Sequence, residues 1–135
     1  MIRGSVIEFH LNSRSGVSPY LQVVHQVRQA LRLGLLHKGD QLPTVKDVVA
    51  RLAINPNTVL KAYRELEHDG LVAARPGVGT FVTKTLSDES IAAHQELTDE
   101  LLPWLRKARD AGLDDESVEA VFQRALRSAV QEEAL

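Results

Sequence analysis

Apolar residues recur at helical spacing through much of the chain, and the segment from Asn55 to Asp69 shows the pattern most clearly. At 100° per residue its apolar side chains fall on one stripe and its polar side chains on the opposite one. The apolar stripe holds Val59, Ala62, Tyr63 and Leu66, and the polar stripe holds Asn57, Lys61, Arg64 and His68. Asn55 can cap this segment, and Pro56 suits its first turn. The pattern predicts a helix with one buried face and one exposed face of amides and cations.

The residues before this helix predict a strand and two further helices. Val6 to Leu11 alternates between apolar and polar residues, as a short half-buried strand does. A helix is predicted from a Ser18 cap to Gly34; its apolar positions are Tyr20, Val24, Val27, Leu31 and Leu35. A short helix follows from a Thr44 cap. Only a few residues separate it from the cap at Asn55, which is the spacing of a helix-turn-helix.

Two short segments after Gly70 predict a β-hairpin. Leu71 to Arg75 and Thr80 to Val82 flank the turn Pro76-Gly77-Val78-Gly79. A hairpin packed against three helices forms a winged helix-turn-helix. Arg75 and Gly77 then lie where such a wing can approach a sugar-phosphate backbone, and a glycine lets backbone N–H groups come close to a phosphate. The alternative for Gly77 is an ordinary tight turn.

The rest of the chain predicts a pair of amphipathic helices, one from a Ser87 cap to Gly112 and one from an Asp114 cap. Two short helices gain too little from packing on each other, so we expect them to dimerise, with a four-helix arrangement as the leading hypothesis. The alternative is that this tail folds back on its own winged domain. The candidate dimer interface consists of Ile91, Leu97, Leu101, Trp104, Leu105, Val118, Phe122 and Leu126.

The predicted fold is therefore mostly α with a small β wing: a winged helix-turn-helix domain over residues 1–83 and a helical dimerisation tail over residues 84–135. Charge divides in the same way. Residues 1–82 hold ten Lys and Arg against six Asp and Glu, and residues 83–135 hold six against twelve. This split favours a polyanion as partner of the first part, and the alternative is that the charges serve only solubility.

Composition narrows the class of protein further. Cysteine is absent, which excludes disulfides and thiolate metal sites. The sequence has no apolar run long enough to span a bilayer and no leader, so we expect a soluble cytoplasmic protein that does not contact membranes.

The candidate chemistry is DNA binding. Lys61 and Arg64 on the polar stripe can hold phosphates or bases, and Asn57 can read base edges, although an ordinary solvated helix face would look the same. An enzyme is the competing class. The five histidines form no i,i+4 pair on one helix and no His-Glu zinc motif, so no catalytic residue, metal site or cofactor is expected. A winged domain that binds a protein without binding DNA is the other alternative.

Five blocks between Ser18 and Val82 resemble the DNA-binding domain of the GntR family of bacterial transcription regulators. They are Pro19-Tyr20-Leu21-Gln22, Gly39-Asp40-Gln41-Leu42-Pro43-Thr44, the Asn55 to Ala62 block, Leu66-Glu67-His68-Asp69-Gly70-Leu71-Val72 and Gly77-Val78-Gly79-Thr80-Phe81-Val82. The short helical tail is similar to that of the YtrA subfamily. The resemblance implies a homodimer that binds an inverted-repeat operator, usually as a repressor and often of a transport operon.

The resemblance also assigns residues to DNA contact. It implies contacts at Thr44, Lys46, Asn55, Asn57 and Thr58, and at the wing glycine, which falls on Gly77. Two positions depart from the family pattern. Lys46 replaces an arginine and cannot make the bidentate contact to guanine, so we expect a phosphate contact there. Pro56 stands where many relatives have an arginine. A small-molecule effector, if the protein has one, is expected where the tail meets the winged domain.

Overall fold

The computed structural model describes residues 7–86 and 91–134, which contain five helices and a two-stranded sheet. The elements are α1 (Pro19–Arg32), α2 (Val45–Leu52), α3 (Pro56–His68), β1 (Val72–Arg75), β2 (Gly79–Val82), α4 (Ile91–Asp110) and α5 (Asp115–Ala134). The chain divides into two compact units, one ending at Ile91 and the other beginning at Ala92. The fold class predicted from the sequence, a winged helix with C-terminal helices, is confirmed.

Helix α3 is the centre of the first unit, because α1, α2 and β1 all pack against it. Its four buried residues are those of the predicted apolar stripe: Val59, Ala62, Tyr63 and Leu66. They join a core to which α1 contributes Val23, Val24, Val27, Ala30 and Leu31. Because its inward face packs against these elements, α3 is held in place with its outer face exposed.

Capping side chains fix the start of α2 and of α3. The Thr44 hydroxyl accepts a hydrogen bond from the Asp47 N–H at 3.1 Å, and the Asn55 side chain accepts one from the Asn57 N–H at 2.8 Å. Between the two helices, Ala53 adopts a left-handed conformation with φ of +53°. That residue reverses the chain direction and makes the turn of the helix-turn-helix.

The wing is an antiparallel hairpin in which Val72 pairs with Val82 and Arg75 with Gly79. The loop before α2 extends it. The Leu42 N–H donates to the Thr80 carbonyl at 2.9 Å, the Val82 N–H donates to the Asp40 carbonyl at 2.8 Å, and Gln41 forms a bridge with Phe81. The wing is thus tied to the start of α2 by main-chain hydrogen bonds that the sequence reading missed.

The predicted strand from Val6 to Leu11 is wrong over its described residues, which form no regular element. The alternation itself was correctly interpreted, since Phe9 is buried while Glu8 and His10 are exposed. Within residues 7–86 and 91–134 the segment has no partner strand. Side-chain amides of α1 replace it: Gln26 bonds both the N–H and the carbonyl of His10, and Gln22 does the same for Asn12.

Two predictions about α1 also need correction. Ser18 stands at the N-cap position but its side chain makes no capping hydrogen bond. Leu35, placed on the buried stripe, is 52% exposed, and Leu36 is buried instead. The helix ends at Arg32, and Gly34 then takes a positive φ of +73°, so the helical period no longer applies at Leu35.

The second unit consists of α4 and α5, whose rings Trp104 and Phe122 lie 5.0 Å apart between centroids. Asp114 caps α5 as predicted, accepting a hydrogen bond from the Ser117 N–H at 2.8 Å. The predicted cap of the first tail helix, Ser87, lies outside the described residues. No helix in the described ranges is long and apolar enough to cross a membrane.

Candidate nucleic-acid interface

The outer stripe of α3, formed by Asn57, Lys61, Arg64 and His68, is exposed along its whole length. Within residues 7–86 and 91–134, neither Lys61 nor Arg64 forms an ion pair. Elsewhere in the same unit Arg28 pairs with Asp69 and Arg51 with Glu8. The outer stripe thus presents uncompensated positive charge, which is the arrangement that an anionic partner requires.

The start of α2 provides Lys46 and the N-cap residue Thr44, and both are exposed. The Thr44 hydroxyl oxygen accepts its capping bond, and its O–H remains able to donate. Lys46 forms no ion pair within the described part of the chain. It is the second residue of α2 and lies in the first turn, next to the helix N-terminus.

A buried tyrosine holds the start of α2 in place. The Tyr63 hydroxyl on α3 donates to the Pro43 carbonyl at 2.6 Å. Burial raises the pKa of the Tyr63 phenol, and the nearby Asp47 carboxylate raises that pKa further. The phenol therefore stays protonated and remains a donor at every physiological pH, which fixes Thr44 and Lys46 relative to α3.

Three predicted residues meet at the N-terminus of α3. The Asn55 side-chain oxygen is used in capping, which leaves its amide N–H groups free to donate. Asn57 is exposed and Thr58 is half-buried. A helix N-terminus carries partial positive charge and unpaired N–H groups, so all three lie where a phosphate is favoured.

Lys61 rests on an aromatic ring. Its ammonium nitrogen lies 4.0 Å from the centroid of the Tyr20 ring on α1, within the range of a cation–π interaction. The sequence reading placed Tyr20 only as an apolar residue of α1. No signal in the sequence identifies the contact, because it depends on how α1 packs across α3.

The wing also holds a cation over an aromatic ring. The guanidinium carbon of Arg75 lies 4.8 Å from the centroid of the Phe81 ring. Phe81 pairs with Ala73, so Arg75 is its diagonal neighbour on the same face of the hairpin, within reach of a long side chain. Arg75 is exposed and forms no ion pair within the described residues.

Two glycines shape the tip of the wing for different reasons. Gly77 has a φ of +75° with open space where a Cβ would stand. Gly79 has a φ of +148°, and a Cβ there would come within 2.4 Å of the Gln41 side-chain nitrogen. Gln41 in turn donates to the Val78 carbonyl at 3.3 Å. Open space at Gly77 is compatible both with a tight turn and with close approach of a phosphate.

The predicted interface residues of the tail differ in their exposure. Leu97 and Leu126 are 61% and 63% exposed, and Leu101 is also exposed. Trp104, Leu105 and Phe122 are half-buried, and Val118 is already buried within the chain. The side chain of Ile91 lies outside the described residues. Among the described residues no group of His, Asp and Glu is arranged to hold a metal ion.

Comparison with known proteins gives matches to the first unit and to most of the chain. The family model for bacterial regulatory proteins of the gntR family matches residues 19–82. The HTH-type transcriptional repressor YtrA of Bacillus subtilis is 30% identical over 95 residues, which cover 70% of this chain and 73% of the relative. The B. subtilis HTH-type transcriptional regulator YhcF is 33% identical over 102 residues, 73% of this chain and 82% of the relative.

Among solved structures, one described as a transcriptional antiterminator from Listeria monocytogenes superposes with a TM-score of 0.57 at 26% identity. The superposition covers 90% of this chain and 91% of that one. The likeness therefore includes both units and is not confined to the winged helix.

Proposed function

Since the chain belongs to the gntR family of bacterial regulatory proteins, it is a DNA-binding regulator of transcription and not an enzyme, and we propose that it represses transcription by binding an inverted-repeat operator as a homodimer. We further propose that residues 1–83 read DNA, that residues 84–135 dimerise, and that the protein acts in the cytoplasm. Control of a transport operon and a small-molecule effector remain predictions.

The observation that carries the proposal is the uncompensated charge around α3. Lys61 and Arg64 on the outer stripe, Lys46 on α2 and Arg75 on the wing are all exposed and all without a carboxylate partner in the described ranges. A protein-binding surface would be expected to carry apolar anchors at its centre. The outer stripe of α3 carries amides and cations and no apolar anchor, which favours DNA over a protein partner.

We assign separate roles to these side chains. Lys46, Lys61, Arg64 and Arg75 contact phosphates or bases, and Asn57 and Thr58 read base edges or position the helix end. Thr44 and Asn55 combine capping with donation to a phosphate. Gly77 lets the tip of the wing approach the sugar-phosphate backbone.

The tail supports the dimer. Among the tail residues whose side chains are described, 93–133, only Ala108 and Val118 are buried. Leu97, Leu101, Leu102, Val121, Leu126 and Val130 remain exposed. Two helices with so small an internal core need further apolar surface to be stable, and a second copy supplies the matching surface under twofold symmetry.

The test of operator binding begins with selection of duplexes from a randomised library by the wild-type protein, followed by titration at several salt concentrations. We expect an inverted repeat. Lys46→Ala should lower the slope of log affinity against log salt by about 0.9. The matched control is Arg32→Ala, an exposed cation at the far end of α1, which should leave the slope unchanged. Failure to enrich any sequence would refute sequence-specific binding and favour the protein-binding alternative.

The test of dimerisation is sedimentation of tail variants. Leu97→Glu and Leu126→Glu should convert the protein to a monomer and weaken its binding to a duplex with two half-sites. Leu35→Glu places the same charge on an exposed leucine outside the tail and should leave the dimer intact. A wild-type protein that sediments as a monomer at micromolar concentration would contradict the proposal.

A further inference from the structure

Tyr20 lies in the first turn of α1 and is half-buried, with its body packed against the core of the first unit. The ammonium of Lys61 lies 4.0 Å from the centroid of its ring. Lys61 itself is exposed. The contact therefore joins a ring that the core holds in place to a cation that faces solvent.

Holding Lys61 has a consequence for binding. A free lysine side chain samples many rotamers and loses that freedom when it grips a phosphate. A ring that already restricts the ammonium removes part of that loss before DNA arrives, which is the general benefit of preorganisation. The ring attracts the ammonium through its face, and the N–H groups directed away from the ring remain available for phosphate oxygens.

We propose that Tyr20 is a positioning residue for DNA binding: its ring holds the Lys61 ammonium in place for one phosphate of the operator. The proposal rests on the proposed DNA-binding function and adds a residue on α1, a helix outside the helix-turn-helix. A phosphate fits better than a base as the target, because lysine acts as a point charge and not as a planar fork.

A double-mutant cycle on the selected duplex tests the proposal, with Tyr20→Leu and Lys61→Gln made singly and together. Tyr20→Leu should weaken binding about two- to tenfold, the cost of immobilising one long side chain on binding. In the Lys61→Gln background the same change should have no effect. Tyr20→Phe keeps the aromatic face and should restore wild-type affinity. Lys61→Gln should lower the salt slope by about 0.9, whereas Tyr20→Leu should leave the slope unchanged, because the charge is kept.

The outcomes separate the two proposals. If the wild type selects no duplex, the proposed function fails. If the wild type binds but the two changes are additive, or Tyr20→Phe binds as weakly as Tyr20→Leu, the positioning role alone is refuted. A second measurement uses only the wild-type protein, so it does not depend on whether the Tyr20→Leu variant folds. In the free wild-type protein, the ring current of Tyr20 should shift the ε-methylene protons of Lys61 upfield, and unshifted protons would also refute the contact.

Discussion

Replacement of Tyr63 by Phe probes how the start of α2 is held. Tyr63 is buried, 6% exposed, and its hydroxyl donates to the Pro43 carbonyl at 2.6 Å. Phe keeps the ring and its packing but removes the donor, so the Pro43 carbonyl loses its partner. Leaving a buried acceptor unpaired costs about 1–3 kcal/mol.

The lower end of that range applies here, because Pro43 is only half-buried and water can reach its carbonyl. We expect Tyr63→Phe to lose about 1 kcal/mol of unfolding free energy. For a domain of this size, that loss lowers Tm by about 4–8 °C. Thermal denaturation followed by circular dichroism at neutral pH measures the difference directly.

The pH dependence of folding stability provides a second, independent test of the buried Tyr63 phenol. Burial, and then the Asp47 carboxylate, raise the pKa of folded Tyr63 above its ordinary value of 10.0. The unfolded state therefore releases the phenol proton at a lower pH than the folded state does. The contribution to stability is fully present below pH 10 and is lost as the pH rises from there toward the folded pKa.

Tyr63→Phe lacks this titration, so its stability should fall less steeply than that of the wild type above pH 10. Lysines also titrate in alkali, but they do so in both proteins, and the comparison removes their effect. Parallel profiles of Tm against pH would show that the phenol is not protected in the folded state. A Tyr63→Phe variant as stable as the wild type at neutral pH would contradict the role of the hydrogen bond.

Four further predictions concern the backbone and the caps. Ala53→Gly should stabilise the protein slightly in chemical denaturation, because relief of about 1–2 kcal/mol of left-handed strain exceeds the added freedom of the unfolded chain; clear destabilisation would argue against the strain. Gly77→Ala and Gly77→Asn should be compared in DNA titrations: asparagine tolerates a positive φ, so its rescue of affinity would mean that the glycine serves only the turn, and its failure would support close approach of a phosphate. Gln26→Leu should speed hydrogen exchange at the His10 amide, and an unchanged rate would mean that the side chain does not hold this segment. Hydrogen bonds from Ser117 lower the pKa of Asp114, so the stability it gives to α5 is present above pH 3.8 and lost as the pH falls through the folded pKa; Asp114→Ala should remove this acid dependence of the helical signal, and persistence of the full dependence would contradict the cap.

The parts of the fold that the sequence predicted are those governed by local chemistry. The start of α3 follows from Asn55 and Pro56, and its buried stripe follows from the helical period alone. The wing follows from two short apolar segments around a glycine-containing turn. Each of these depends on residues within one turn or one hairpin, so no knowledge of tertiary contacts was needed.

The features that the sequence predicted wrongly or missed depend on residues that are distant in the sequence. The alternation around Phe9 specifies which side is buried, but not that α1 glutamines bond the backbone in place of a strand. In the same way, the exposed polar stripe of α3 could be predicted, whereas the ring of Tyr20 under Lys61 could not, because it depends on how α1 packs across α3. The DNA contacts themselves remain predictions.

The thirteen residues of α3 place folding on one face and the proposed DNA contact on the other. Folding is set by four inward-facing side chains, and the outward-facing ones contribute little to it. Substitutions at Asn57 or Arg64 can therefore accumulate without loss of the fold. On the proposed role of the outer stripe in reading DNA, single surface replacements would change the preferred operator, and the target sequence could diverge faster than the fold.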